Sequence, residues 1–192
     1  AVLSEAADPV VRGRIKAMVF ARLLFPGSKL SLKTRSADSA LADACGLTRD
    51  DLDEDRLYEA MDALSGKWPG IEKTLYSEAF PGGVTLVLYD LTSSYFEGAK
   101  NKKLAAYGYS RDHRDDRPQV ILALATGADG VPIHIEVLKG NRADSKTLLP
   151  LLATLRRRFG ISKAVFSFDG GMSSALNLQQ MREDELDYVT RL

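Results

Sequence analysis

The sequence predicts an α/β chain in which an all-helical front region precedes a mixed β-sheet with flanking helices. Three observations carry this reading. Apolar residues recur at helical spacing as far as about residue 80. Pro81-Gly82-Gly83 then breaks the pattern. Short β-branched apolar runs, separated by turns and by two helical stretches, follow it. The boundary is placed at this Pro-Gly-Gly, dividing the chain into regions 1–80 and 81–192.

In the front region, Val11, Ile15, Met18, Val19 and Leu23 lie on one helical repeat that begins near Pro9 and ends at Pro26-Gly27. A second helix is expected from Ser39 to Cys45 and a third from Asp53 to Leu64, stopped by Gly46 and Gly66. A fourth runs from Pro69 to Ala79, with proline suited to the first turn. The stretch from Leu41 to Leu64 resembles a helix–turn–helix. Its second helix carries Asp53, Glu54, Asp55 and Glu59, a poor surface to set against phosphates. A packing or dimerisation module explains it as well as DNA binding does.

After the break, residues 84–90 (VTLVLYD) and 119–126 (QVILALAT) have strand length and composition. The turn Ala128-Asp129-Gly130 leads into a third strand, where Val131, Ile133, Ile135 and Val137 alternate with Pro132, His134 and Glu136. A helix follows from Ser145 to Phe159, capped by Asp144 or Ser145 and stopped by Gly160. Residues 163–169 form a fourth strand, Ser173 to Arg182 a helix, and residues 187–191 open a fifth strand. Three meandering strands followed by helical crossovers give the order of the ribonuclease-H-like fold.

Composition narrows the function. The 192 residues carry 26 basic and 26 acidic side chains, so there is no global basic excess for a long DNA track, and local patches such as Arg156 to Arg158 matter more. Cys45 is the only cysteine, and with His113 and His134 it is too little for a structural zinc site. No apolar run approaches the ~18–20 residues that span a bilayer, and the N-terminus has no signal-peptide pattern. A reducing cytoplasm is the expected location, with no membrane partner. The first residue is Ala1 rather than methionine, which suits a fragment or a processed start.

Asp90 and Asp169 close the expected first and fourth strands. In this topology those strands are neighbours, and functional groups gather at the carboxyl ends of strands. Two carboxylates brought together repel unless a cation lies between them, and hard oxygen donors suit Mg²⁺ or Mn²⁺. The plainer reading stands beside this one: aspartate before Thr-Ser-Ser, or before Gly-Gly, is ordinary turn chemistry.

Four blocks decide between them. DLTSSYFEG (90–98), YGYSRDHRDDRPQV (107–120), GNRADSKTLLPLL (140–152) and FDGGM (168–172), in this order and spacing, resemble the DDE domain of bacterial insertion-sequence transposases. The resemblance implies Mg²⁺- or Mn²⁺-dependent hydrolysis and strand transfer on double-stranded DNA, at transposon ends and target, and self-association of the enzyme. It implies that Asp90 and Asp169 are the first two catalytic, metal-binding carboxylates, with Thr92 steadying the first. The family's second aspartate is usually followed by Arg-Gly-Met, whereas Gly170 stands here in place of the arginine. Its third carboxylate, a glutamate in a downstream helix, would fall beyond Leu192, so the sheet is expected to be incomplete at the C-terminus and the chain to be an N-terminal fragment. The rival expectation is an inert relic or regulatory fragment that binds DNA or the full-length enzyme.

Weaker DNA-contact candidates are Arg111, Arg114 and Arg117, which share a polar loop with His113, Asp112, Asp115 and Asp116, and Lys146 in the turn before the long helix. A solvated charged loop explains the first three equally well. Glu97 is a candidate third ligand, though an exposed loop glutamate is the simpler reading.

Overall fold

The computed structural model describes residues 8–97, 103–109 and 113–191. The chain divides into two compact units between Thr74 and Leu75.

In the helical unit, α1 (Pro9–Leu24) starts at Asp8, whose carboxylate accepts from the Val10 amide at 2.8 Å, with proline in the first turn. Gly13 sits mid-helix because a Cβ there would stand 2.6 Å from the Cys45 carbonyl oxygen, so α1 packs directly on that backbone. A helix absent from the sequence reading, α2 (Lys29–Arg35), begins at Ser28, which caps the Ser31 amide. Its Leu30 and Leu32 are two apart, a spacing that carries no helical signature. Then come α3 (Leu41–Ala44), a 3₁₀ turn at Arg49–Leu52, α4 (Glu54–Ser65) and α5 (Trp68–Ala79). Ala17, Ala21, Leu32, Leu41, Cys45, Leu47, Leu52 and Leu57 form the core, and burial pushes the Cys45 thiol up. The helix expected at Ser39 to Cys45 is a single turn, and Asp55, Glu59 and Asp62 line the exposed side of α4.

In the second unit, five strands form one sheet: β1 (Leu86–Tyr95), β2 (Gln119–Thr126), β3 (Pro132–Lys139), β4 (Val165–Phe168) and β5 (Asp187–Thr190), in the order β3-β2-β1-β4-β5. The β1–β2 and β2–β3 pairs are antiparallel, and the β1–β4 and β4–β5 pairs parallel. With α6 (Leu148–Phe159) joining β3 to β4 and α7 (Ala175–Glu183) joining β4 to β5, this is the ribonuclease-H-like arrangement. The core holds Val87, Tyr89 and Leu91 of β1, Ile121, Ala123 and Ala125 of β2, Phe166 and Phe168 of β4, and Leu148, Leu151, Leu152 and Leu155 of α6. Tyr76 and Phe80 join it, Tyr76 lying 5.1 Å from the Phe159 ring. This packing draws the end of α5 into the sheet unit, so the division falls before the Pro-Gly-Gly rather than at it.

Three local features differ from the sequence reading. A 3₁₀ turn occupies Asp144–Lys146, so α6 starts at Leu148 with Thr147 before it and no side-chain cap. The alternation in β3 is broken by a register shift at Ala125/Thr126. As a result Ile133 and His134 are both buried, while Ile135 and Val137 are 39% and 46% exposed on the other face. That face also bears Leu88 and Val189, so the sheet is apolar on both sides although α6 packs on one. The third feature concerns β1, which runs five residues past Asp90.

Candidate active site

The expectation that Asp90 ends its strand is corrected: Asp90 lies in the middle of β1. What ends near it is the parallel ladder. Tyr89 and Phe168 are the last registered pair between β1 and β4, and Asp90 and Asp169 are the residues immediately after them. From Asp90 onward β1 pairs on one side alone, Asp90 facing Leu124 and Thr92 facing Leu122 of β2. The polar Thr92-Ser93-Ser94 stretch stays extended because β2 supplies its hydrogen-bond partners, a tertiary cause that overrides its turn-like composition.

Parallel neighbours stand about 4.8 Å apart, so the two aspartates leave the ladder side by side. In β1 the side chains alternate, with Val87, Tyr89 and Leu91 buried and Leu88, Asp90 and Thr92 exposed. Across the ladder Phe166 and Phe168 are buried in register with Val87 and Tyr89. Asp90 and Asp169 are both exposed. Each uses one carboxylate oxygen on its own following amide: Leu91 N–H donates to Asp90 Oδ1 at 2.8 Å, and Gly170 N–H to Asp169 Oδ1 at 2.7 Å. Beneath them, burial pushes the Tyr89 phenol up, and its side chain is hydrogen-bonded with that of Thr147. Thr147 Oγ1 in turn donates to the Asp144 carbonyl at 2.7 Å, tying β1 to the turn before α6.

That turn lies against the one after β4. A Cβ on Gly171 would stand 3.1 Å from Asp144 Oδ2, and Asn177 Nδ2 donates to both the Ser145 and Met172 carbonyls, at 2.8 and 2.7 Å. Asp144, which capping explained in the sequence, is thereby a third carboxylate close to the Asp169 turn. No sequence signal could reveal this, because the proximity comes from Asn177 clamping two distant segments. A Cβ on Gly170 would stand 2.8 Å from the Arg191 carbonyl oxygen, so an arginine at this position would have to displace that segment. Among the described residues, no group of three or more His, Cys, Asp or Glu side chains is placed to hold a metal ion.

The weaker candidates are dispersed. Arg114 forms a two-pronged ion pair with Asp116 at 2.8 and 3.0 Å, and its guanidinium lies 4.9 Å from the centre of the Tyr95 ring. The pairing with Arg114 holds the Asp116 carboxyl below its usual range. Arg117 Nε approaches Asp116 at 3.3 Å without the alignment of a hydrogen bond. Lys146 is exposed, and its carbonyl accepts from Arg142 at 2.9 Å. Glu97 lies just past β1 and is exposed, and Arg111 and Asp112 lie outside the described residues. No helix among the described residues is long and apolar enough to cross a membrane.

A family model described as "Transposase DDE domain" matches residues 83–192, more than half of the chain. The chain belongs to this transposase family. No curated protein matches the transposase chain. Among solved structures it resembles the Mos1 transposase paired-end complex with left transposon end, at 12% identity and a TM-score of 0.39, covering 91% of this chain and 57% of that one. It also resembles the Mos1 strand transfer complex, at 12% identity and a TM-score of 0.40, covering 93% of this chain and 57% of that one. The chain thus spans little more than half the length of these relatives.

Proposed function

We propose that this chain carries the first two metal-binding carboxylates, Asp90 and Asp169, of a DNA transposase, an enzyme whose complete site acts on the phosphodiester backbone of double-stranded DNA at insertion-sequence ends and target. The observation that carries the reading is the position of both residues one step beyond the last registered β1–β4 pair, on an open face. The donor set fits Mg²⁺ or Mn²⁺: exposed carboxylate oxygens, with no cysteine among them. A bound divalent ion supplies charge neutralisation at the scissile phosphate and at the attacking and leaving oxygens. Asp90 and Asp169 would hold it. Thr92, two residues along on the same face, lies where its hydroxyl would steady the first carboxylate. Arg114, Arg117 and Lys146 would offer positive charge to phosphates, Arg114 only on giving up Asp116. The helical region 1–80 would serve DNA binding or dimerisation, its acidic α4 favouring the latter.

Manganese binding, read by paramagnetic resonance, tests the site. Asp90→Asn and Asp169→Asn should each weaken it at least tenfold in a folded chain, and unchanged binding in either variant sinks the assignment.

A second reading keeps the family and removes the activity. The absence of a three-ligand cluster among the described residues, together with Gly170 where the family has arginine, favours a chain that binds DNA or a full-length enzyme and does not cut.

A further inference from the structure

Two tyrosines outside the carboxylate site are held in an unusual way. Tyr107 and Tyr109 are 66% and 80% exposed, the latter the most exposed large apolar or aromatic side chain among the described residues. A bulky ring left in water on a mobile loop would be unremarkable, yet the backbone beneath these two is tightly fixed. Ala106 exchanges both of its backbone hydrogen bonds with Gln119, the first residue of β2, each at 3.0 Å. Gln119 is 1% exposed, and its amide Nε2 donates to the Tyr109 carbonyl at 2.7 Å and to the Gly140 carbonyl at 3.0 Å. Gly140 N–H donates to the Leu104 carbonyl at 3.0 Å.

Gly108 lies between the tyrosines, and a side chain there would run into the Gly140 carbonyl. The inward position of the segment is therefore filled by backbone, and the residues on either side point away from it. Residues two apart on extended chain stand about 6.5–7 Å from each other on one side. Successive stacked bases repeat every 3.4 Å or so along a strand, so two rings at this spacing leave room for one base between them. Lys139 and Arg142 flank Gly140, and both are exposed. Aromatic faces beside cations, on a rigid support, are the means by which proteins hold unpaired bases and their phosphates.

We infer that Tyr107 and Tyr109 form a stacking platform for an unpaired DNA base, with Lys139 and Arg142 set to meet the adjoining phosphates. The inference rests on the DNA-transposase reading and adds a preference to it: for DNA whose end is unpaired, over the same duplex fully paired. Gln119 is the positioning residue, since its one side chain fixes both backbone segments.

The test uses the whole 192-residue chain and fluorescence anisotropy, with a blunt duplex and the same duplex bearing a short unpaired tail. The tailed duplex should bind more tightly. Tyr109→Ala should weaken tailed-duplex binding roughly 5- to 150-fold, the span of one lost base stack, and leave blunt-duplex binding unchanged. Tyr109→Phe keeps the ring and should retain the preference. A fluorescent adenine analogue in the tail should be quenched by the wild type and by Tyr109→Phe, and not by the Tyr107→Ala, Tyr109→Ala double variant. Equal affinity for the two duplexes, or a tail preference that survives the double variant, overturns the platform and leaves the transposase reading standing. Failure to bind either duplex overturns both.

Discussion

The side-chain direction of Gly170 is occupied by the backbone of Arg191: a Cβ built on the glycine would lie 2.8 Å from the Arg191 carbonyl oxygen. Carbonyl oxygen is not the yielding end of a flexible side chain, so a substituent at 170 must displace the chain leaving β5. Gly170→Ala should therefore destabilise the sheet unit by about 1–3 kcal/mol, the usual cost of overpacking. Gly82→Ala, with nothing within 4 Å and an ordinary φ, is the control and should be neutral or slightly stabilising. Urea titration of both variants checks this. A Gly170→Arg variant that restored the family's usual residue without loss of stability would mean that the Arg191 segment yields freely.

A second prediction concerns acid. Asp51 is hydrogen-bonded by the Thr48 hydroxyl at 2.7 Å, by the Thr48 amide at 2.9 Å and by Arg14 at 3.0 Å, which together hold its carboxyl well below the usual range. A carboxylate depressed in the folded state contributes stability that is fully present above its unfolded pKa, near 3.9, and is lost as pH falls below it. The helical unit should therefore lose stability between about pH 5 and pH 2. Asp51→Asn should lower stability at neutral pH by about 2 kcal/mol and flatten the acid limb. Circular dichroism of wild type and variant across that range is the measurement, and parallel acid limbs would contradict it.

How far the sequence revealed the fold depends on where each signal was local. Residues 119–126 are read as a strand and form β2 over that same span, because the continuous apolar run suits a central strand flanked on both sides. The Gly160 stop of α6 is equally legible, since the residue takes φ 70° there. The end of β1 is not, because Thr92 to Tyr95 are kept extended by β2 rather than by their own propensity. The site follows the same division. Asp169 is legible as the carboxylate that follows β4, whereas Asp90, read as closing its strand, lies in the middle of β1 because β2 keeps the chain extended beyond it. The approach of Asp144 to Gly171, and the crowding of Gly170 by Arg191, depend on segments distant in sequence and could be found only in three dimensions.

The open face of the sheet gives a third prediction. Ile135, Val137 and Val189 are 39%, 46% and 62% exposed on strands whose other face is packed. Apolar area of this kind drives association. The double variant Ile135→Lys, Val137→Lys should shift the chain toward monomer in sedimentation velocity and reduce binding of a hydrophobic dye. An unchanged distribution would place self-association elsewhere, on the helical unit.

The last prediction is that the 192-residue chain binds DNA ends without cutting or joining them. Phosphoryl transfer by metal ions needs each ion fixed tightly enough to serve both the attacking and the leaving oxygen. Mg²⁺ gives up its water reluctantly and prefers near-octahedral oxygen ligation, so two carboxylates with no third in place should hold it loosely and in more than one position. The described residues offer no three-ligand cluster, and Gly170 brings no cation to the second aspartate. A cleavage assay on insertion-sequence ends, with Mg²⁺ and then Mn²⁺, should yield intact substrate. If cutting occurs and Asp90→Ala abolishes it, the third ligand is present in this chain. Asp144 is then the first residue to test, because its carboxylate already lies against the Asp169 turn, and Glu97 the second. Loss of cutting in Asp144→Asn with folding and DNA binding intact would assign it that role, and loss in Glu97→Gln alone would assign it to the strand end instead.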